Sequence, residues 1–208
     1  MEWCDVRMIC GQSSEYKANK KEWFKAKQSL REEGTFRFPN LPYCLDEDGV
    51  RLVQTDAILR YLAKKYDLMG TAPSHLTDMF LEEARDLDDT MVRLSYEEGA
   101  AAVAKWLDSQ ELRDKLKVWE AMIQENGGTF VMGAAITVVD LKLYTFLFKF
   151  QHAQATLMTS SNDCPPLPFF VPAYLERVKN ATPQLAAYLD CPDMRIPVNN
   201  SHASFDNS

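Results

Sequence analysis

No run of this chain is apolar for the roughly 18–20 residues that a membrane span requires, which argues against a transmembrane helix. The opening, Met1-Glu2-Trp3-Cys4-Asp5-Val6-Arg7, has no basic region followed by an apolar core, so no signal peptide is expected. The end, Ser204-Phe205-Asp206-Asn207-Ser208, carries neither a prenylation box nor a retention tag. A cytoplasmic location is the expectation. None of the five cysteines stands in a Cys-x-x-Cys pair, and the three histidines are far apart, so zinc and iron–sulfur spacings are missing and no metal is expected. Such cysteines serve as small apolar residues in a reducing compartment. Ten prolines and eight glycines are scattered without a biased tract or period, which excludes collagen, low complexity and repeat arrays. Positive charge is also short: 23 Lys and Arg face 30 Asp and Glu, for a net charge of −7. Nucleic acid is therefore not the expected partner, because phosphate contacts need clustered cations.

What remains is an ordinary globular composition, 46% hydrophobic and 25% charged over 208 residues. That length makes one large domain or two small ones, and it buries about two-thirds of the unfolded surface without staples. The charge is divided unevenly. Residues 1–70 hold 12 Lys/Arg and 11 Asp/Glu, whereas residues 71–208 hold 11 and 19. The first part suits a small anion better than the second.

Residues 3–10 are rich in aromatic and β-branched types and predict a strand ending at Gly11. The polar, lysine-rich residues 12–22 read as a loop, and Trp23 to Arg31 as a short helix or irregular turn. Leu41 to Leu45 predicts a strand, Asp46-Glu47-Asp48-Gly49 a hairpin turn, and Val50 to Val53 the returning strand. Gln54-Thr55-Asp56-Ala57 opens a helix that Thr55 is placed to cap, with Ile58, Leu59, Leu62 and Tyr66 at helical spacing and Met69-Gly70 at its end. Beyond Pro73 the pattern is all helical. Residues 75–98 carry an apolar stripe and an acidic face of Glu82, Glu83, Asp86, Asp88 and Asp89, which a solvated surface alone would explain. Residues 100–125 form one further pattern, broken by Asn126-Gly127-Gly128. Thr137-x-x-Asp140 is a capping box that opens an almost wholly apolar helix over 141–150. Residues 172–180 and 183–190 give two short helices near prolines, and the tail from Cys191 is expected to lie extended or to fray. The boundaries read 1–70, 74–195 and a tail of 196–208.

Taken singly these motifs are common; their order is not. Phe38-Pro39-Asn40-Leu41-Pro42-Tyr43, an acidic turn, and Gln54-Thr55-x-Ala57-Ile58-Leu59-Arg60-Tyr61-Leu62 together resemble the glutathione-binding half of cytosolic glutathione transferases. Gly133-x-x-Ile136-Thr137-x-x-Asp140 resembles the capping box and staple of that family's core helix. Trp23-x-x-x-Lys27 upstream of Asn40-Leu41-Pro42 is similar to the mu and sigma classes. The resemblance covers residues 3–195. It implies an α/β, thioredoxin-like N-terminal domain followed by an all-α C-terminal helical bundle, paired as a homodimer.

It also implies a site for glutathione, used as substrate and without a metal. Gln54 and Thr55 at a helix N-terminus suit the γ-glutamyl carboxylate. Leu41, before a Pro42 that the family pattern makes cis, offers its backbone to the cysteinyl part, with Asn40 beside it. Trp23 supplies an indole N–H and Lys27 a cation for the glycyl carboxylate, and Lys20 stands where the mu class has arginine. Asp86, eight residues after Asp78, matches the acid that reaches the glutamyl ammonium across the dimer; Glu82 is the alternative one turn earlier. Tyr96 matches a tyrosine lining the electrophile site.

The resemblance fails at the start. The family opens with a strand, a turn bearing a catalytic hydroxyl or thiol, and a helix, and about 25 residues of that pattern have no counterpart here. The catalytic residue is therefore unknown. Cys4 and Cys10 do not stand at its position. The expected function is conjugation of the glutathione thiolate to a small apolar electrophile, weakly performed by this chain. The alternatives are a sigma-like glutathione-dependent isomerase and a non-catalytic, dimeric binding or structural protein.

Overall fold

A computed structural model describes residues 14–160, 168, 170–191 and 203–205, with the side chains of 14–22 and 159–160 outside that description. The strand expected over 3–10, with Cys4 and Cys10, lies outside the described residues. The chain divides into two compact units, Met1–Tyr66 and Asp67–Ser208.

Among the described residues the first unit begins with α1 (Ser14–Glu32), so the loop expected over 12–22 is helical from Ser14 onward. Lys, Glu, Ala and Gln are good helix formers, and neither Gly nor Pro interrupts residues 12–33. Polarity here signals composition, not a loop. Gly34, at φ 71°, stops the helix. Strands β1 (Tyr43–Leu45) and β2 (Arg51–Val53) pair antiparallel, Tyr43 opposite Val53, Cys44 opposite Leu52 and Leu45 opposite Arg51. The turn closes as its chemistry predicts: Asp46 N–H donates to Val50 O at 3.0 Å and Gly49 N–H to Asp46 O at 2.9 Å, with Gly49 at φ 76°. Helix α2 spans Thr55–Lys65. Its N-cap residue is Gln54, which makes no side-chain capping bond, so Thr55 is the first helical residue and not the cap. The helix ends four residues before Met69, because Asp67 takes the left-handed conformation at φ 57°.

In the second unit α3 (Ser74–Arg93) continues as a π-helical turn, Leu94–Glu98, and stops at Gly99, whose φ of 81° few other residues adopt. The single pattern expected over 100–125 is two helices, α4 (Ala100–Leu107) and α5 (Gln110–Glu125). Ser109, extended at φ −74°, ψ 148°, divides them, and its side chain accepts from Leu112 N–H at 3.2 Å to cap α5. The central helix α6 runs Val138–Ser160, longer than the apolar run suggested, since buried Ala153 and Leu157 extend it. Its entry is the predicted capping box. Asp140 Oδ2 accepts from the Thr137 N–H and hydroxyl, each at 2.8 Å, while Oδ1 accepts from Val131 N–H at 2.8 Å and Tyr174 O–H at 2.7 Å. Burial and the neighbouring Asp140 carboxylate push the Tyr174 phenol far above its ordinary pKa. Helices α7 (Phe170–Lys179) and α8 (Pro183–Asp190) follow, the latter with Pro183 in its first turn and Thr182 capping Leu185 N–H at 3.1 Å. The core forms where α3 and α6 pack, around Leu81, Leu87, Met91, Leu143, Phe146 and Leu147. In the tail, Ala203 and Phe205 are buried rather than frayed. Among the described residues no helix is long and apolar enough to cross a membrane.

Candidate functional site

The hairpin register brings most of the expected residues to one place. Because Tyr43 faces Val53, Leu41-Pro42 enters and Gln54-Thr55 leaves at the same end of the two strands. The Leu41–Pro42 bond is cis, as the family resemblance implies. From α1, Trp23 stacks on Tyr43, ring centroids 6.4 Å apart and planes within 13°. Buried Phe36 meets the same ring at 5.5 Å. Lys27 lies one turn along α1 from Trp23, on the same side of the helix. Asn40, Gln54 and Thr55 are exposed, while Trp23, Lys27, Leu41 and Pro42 are half-buried. Lys20 falls in α1, with its side chain outside the described residues.

Gln54 has φ 76° and ψ 117°, a backbone state uncommon for any residue but glycine. Its carbonyl starts the helix by accepting from Ile58 N–H at 3.0 Å. Its side chain is exposed and makes no capping bond, and it stands at the N-terminal, positive end of the α2 dipole.

A cluster that the motif reading missed ties the hairpin turn to α2. Asp46 accepts from Lys65 Nζ at 2.6 and 2.7 Å and from Tyr61 O–H at 2.6 Å; Asp48 takes the same ammonium at 3.2 Å. Lys65 first, then Tyr61, lower the Asp46 carboxyl from 3.8 to about 2. In return the hydrogen bond to Asp46 raises the Tyr61 phenol to about 12 and holds the Lys65 ammonium above its usual range. The sequence signal was Tyr61 and Lys65 at i and i+4 on α2, facing an acidic turn.

The other expected residues, Asp86, its alternative Glu82 and Tyr96, belong to the second unit. Asp86 is exposed on α3, and its backbone carbonyl accepts from the Thr90 hydroxyl at 2.8 Å. Glu82 is engaged by Arg85 at 2.8 Å. Tyr96 is half-buried in the π-helical turn. Among the described residues no three His, Cys, Asp or Glu side chains gather as a metal site.

Comparison with known proteins bears on the family and the fold. Residues 85–191 match the family model described as "Glutathione S-transferase, C-terminal domain". Glutathione S-transferase alpha-1 of Rattus norvegicus is 32% identical over 140 residues, covering 64% of this chain and 61% of the relative. The glutathione S-transferase of Dermatophagoides pteronyssinus is 32% identical over 150 residues, 71% of this chain and 64% of the relative. The chain thus spans about three-fifths of the length of these curated relatives. The solved structure of the Onchocerca volvulus Pi-class glutathione S-transferase superposes with a TM-score of 0.68 at 26% identity, over 88% of this chain and 83% of that one. The glutathione S-transferase Blo t 8 shares the fold with a TM-score of 0.71 at 23% identity, over 90% and 83%. A two-stranded hairpin feeding a helix, an all-α bundle entered through Asp140, and a matched C-terminal domain lead to one assignment: the chain belongs to the cytosolic glutathione transferase family, with a thioredoxin-like first domain and a helical second domain.

Proposed function

We propose that the end of the hairpin binds glutathione, and that the protein conjugates it to small apolar electrophiles in the cytoplasm. The observation that carries this reading is the convergence of Gln54, Thr55, Leu41, Asn40, Trp23 and Lys27 through the Tyr43–Val53 register and the Trp23–Tyr43 stack. The N-terminus of α2 takes the γ-glutamyl carboxylate; Lys27 and the Trp23 indole take the glycyl carboxylate, with Lys20 beside them. The pairing of Trp23 and Lys27 supports the mu/sigma type. In the reaction the thiolate sulfur attacks an electrophilic carbon, a C–S bond forms, and the leaving halide departs with its electron pair. The thiol proton goes to solvent.

Dimerisation belongs to the same reading. Leu76, Met79, Glu83 and Asp86 form an exposed stripe at helical spacing on α3, with Leu76 36% and Met79 48% exposed. An apolar stripe rimmed by acids suits a second copy, and Asp86 would then reach the partner's glutathione. A monomer in sedimentation at micromolar concentration would remove this part.

The deciding experiment is retention on immobilised glutathione, followed by an aromatic-halide conjugation assay. Retention of the parent is expected. Weak but measurable conjugation is expected, because tight ground-state binding does not by itself lower the chemical barrier. Rates like those of a full-length relative, lost in Tyr96→Phe, would instead make Tyr96 the donor. Retention without conjugation under any conditions would favour a binding role.

A further inference from the structure

Helix α3 does not finish as an α-helix. In its π-helical turn the Gly99 N–H reaches back five residues to the Leu94 carbonyl, at 2.8 Å. Carbonyls at a helix end lack intrahelical partners, and they must find others. Two of them find the chain's tail. Phe205 N–H donates to the Ser95 carbonyl at 2.9 Å, and the Ser204 hydroxyl donates to the Tyr96 carbonyl at 2.9 Å, from 108 positions away. Ala203 and Phe205 are each 5% exposed, so the contact is packed as well as hydrogen-bonded. Ser204 lies against Gly99, within ordinary van der Waals reach of its Cα side.

The turn is held weakly from within. Arg93 pairs with Glu98 on its exposed side. On its buried side the Ser95 hydroxyl has no hydrogen-bond partner among the described residues, which is unfavourable. In a regular α-helix that hydroxyl bonds back to the carbonyl four residues earlier, at Met91. The tail bonds the Ser95 and Tyr96 carbonyls from outside the turn.

We infer that Ala203–Phe205 is a latch on the π-helical turn: Ser204 and Phe205 are positioning residues that fix Tyr96. The consequence for the electrophile rests on the reading of Tyr96 given under Proposed function; the latch itself does not.

Hydrogen exchange on the full chain tests it. In Ser204→Ala and in Phe205→Ala, exchange at the Gly99 amide should quicken by roughly 2- to 10-fold, as the loss of one hydrogen bond implies. Amides of α6 around Phe146 should not change, and Ser204→Thr should restore the parent rate. Ser204 is exposed, so its variant remains folded even where Phe205→Ala does not. Unchanged Gly99 exchange in Ser204→Ala overturns the latch. On a chain that conjugates, Ser204→Ala should raise KM for the aromatic electrophile while leaving KM for glutathione unaltered. Faster Gly99 exchange in a protein that glutathione resin does not retain would keep the latch and discard the proposed function. Retention with unaltered exchange would do the reverse.

Discussion

In the first unit, the described residues that are buried are Phe36, Pro39, Cys44 and Ala63, and the described strands are two of three residues each. In the second, Leu81, Met91, Leu116, Phe146, Leu147 and Tyr174 are almost wholly enclosed. Apolar burial contributes about 25 cal/mol per Å², so the helical unit carries most of the hydrophobic stabilisation. The expected glutathione residues gather on the thin unit, where they are exposed or half-buried. The proposed recognition there would depend on local backbone geometry and a few polar groups, while the bundle depends on enclosure. Substitutions in one unit should therefore separate binding from stability.

The largest effect is expected at Asp140. Asp140→Ala leaves Val131 N–H, Thr137 N–H, the Thr137 hydroxyl and Tyr174 O–H without their acceptor, all of them buried. An unsatisfied buried donor costs about 1–3 kcal/mol, and the four are coupled, so a total loss of about 3–5 kcal/mol is expected. Tyr174→Phe removes one bond only and should cost about 1 kcal/mol. Chemical denaturation followed by circular dichroism measures both. An Asp140→Ala protein within about 1 kcal/mol of the parent would show that the bundle does not depend on this node.

The reverse case is Gln54→Ala, with Lys27→Ala beside it. Losing a hydrogen bond to a charged group costs about 1.5–3 kcal/mol, roughly 10–150-fold in affinity for glutathione. The denaturation midpoint of the second unit should stay where it is. If both variants bind like the parent, the site is elsewhere; if the bundle melts with them, the two functions are not separable.

The sequence made this division legible to different depths. Turn and capping chemistry was local, so Asp46-Glu47-Asp48-Gly49 and Thr137-x-x-Asp140 took the structures their residues specify, and a helix starts at Pro183. Residues 14–22 were misread because polarity was taken for a loop where helix propensity decides. The break at Asp108-Ser109 was hidden because apolar spacing runs on across it, and only the cap at Ser109 marks it. The cap of α2 moved by one residue, to Gln54, because a positive φ cannot be read from a glutamine. The tail contacts of Ser204 and Phe205 are 108 and 110 positions from their acceptors, a distance at which periodicity carries no information.

That positive φ offers a smaller, opposite-signed test of the same comparison. At φ 76°, ψ 117°, Gln54 holds a conformation that costs a non-glycine residue about 1–3 kcal/mol. Gln54→Gly should relieve it, stabilising the first unit by about 1 kcal/mol while losing the side-chain contact with glutathione. Stability and retention would then move in opposite directions at one position. A Gly variant that is both less stable and less well retained would mean that the glutamine side chain, and not the backbone, holds the start of α2.

The smallest effect belongs to Asp46, and it is a matter of pH. The folded state lowers the Asp46 carboxyl from 3.8 to about 2, chiefly through Lys65 and then Tyr61. A depressed carboxyl favours folding when charged, so its contribution is complete above about pH 4 and is lost as pH falls toward about 2. Tyr61 runs the other way. Its phenol is raised to about 12 by the bond to Asp46, so its contribution is complete below about pH 10 and is lost as pH climbs through about 12. Between these limits the tie from hairpin turn to α2 should be flat in pH. The cluster lies at the surface, with Lys65 31% exposed, so solvent and salt weaken it. Asp46→Asn should therefore remove the acid limb from the thermal midpoint of the first unit and lower the Tyr61 phenol toward 10, as read by ultraviolet titration. The hydrogen bonds at Asp140 in the second unit involve none of these residues and should be untouched by the substitution. An unaltered acid limb in Asp46→Asn would place the acid sensitivity of the first unit on some other carboxylate and leave the hairpin held by packing at Tyr43 alone.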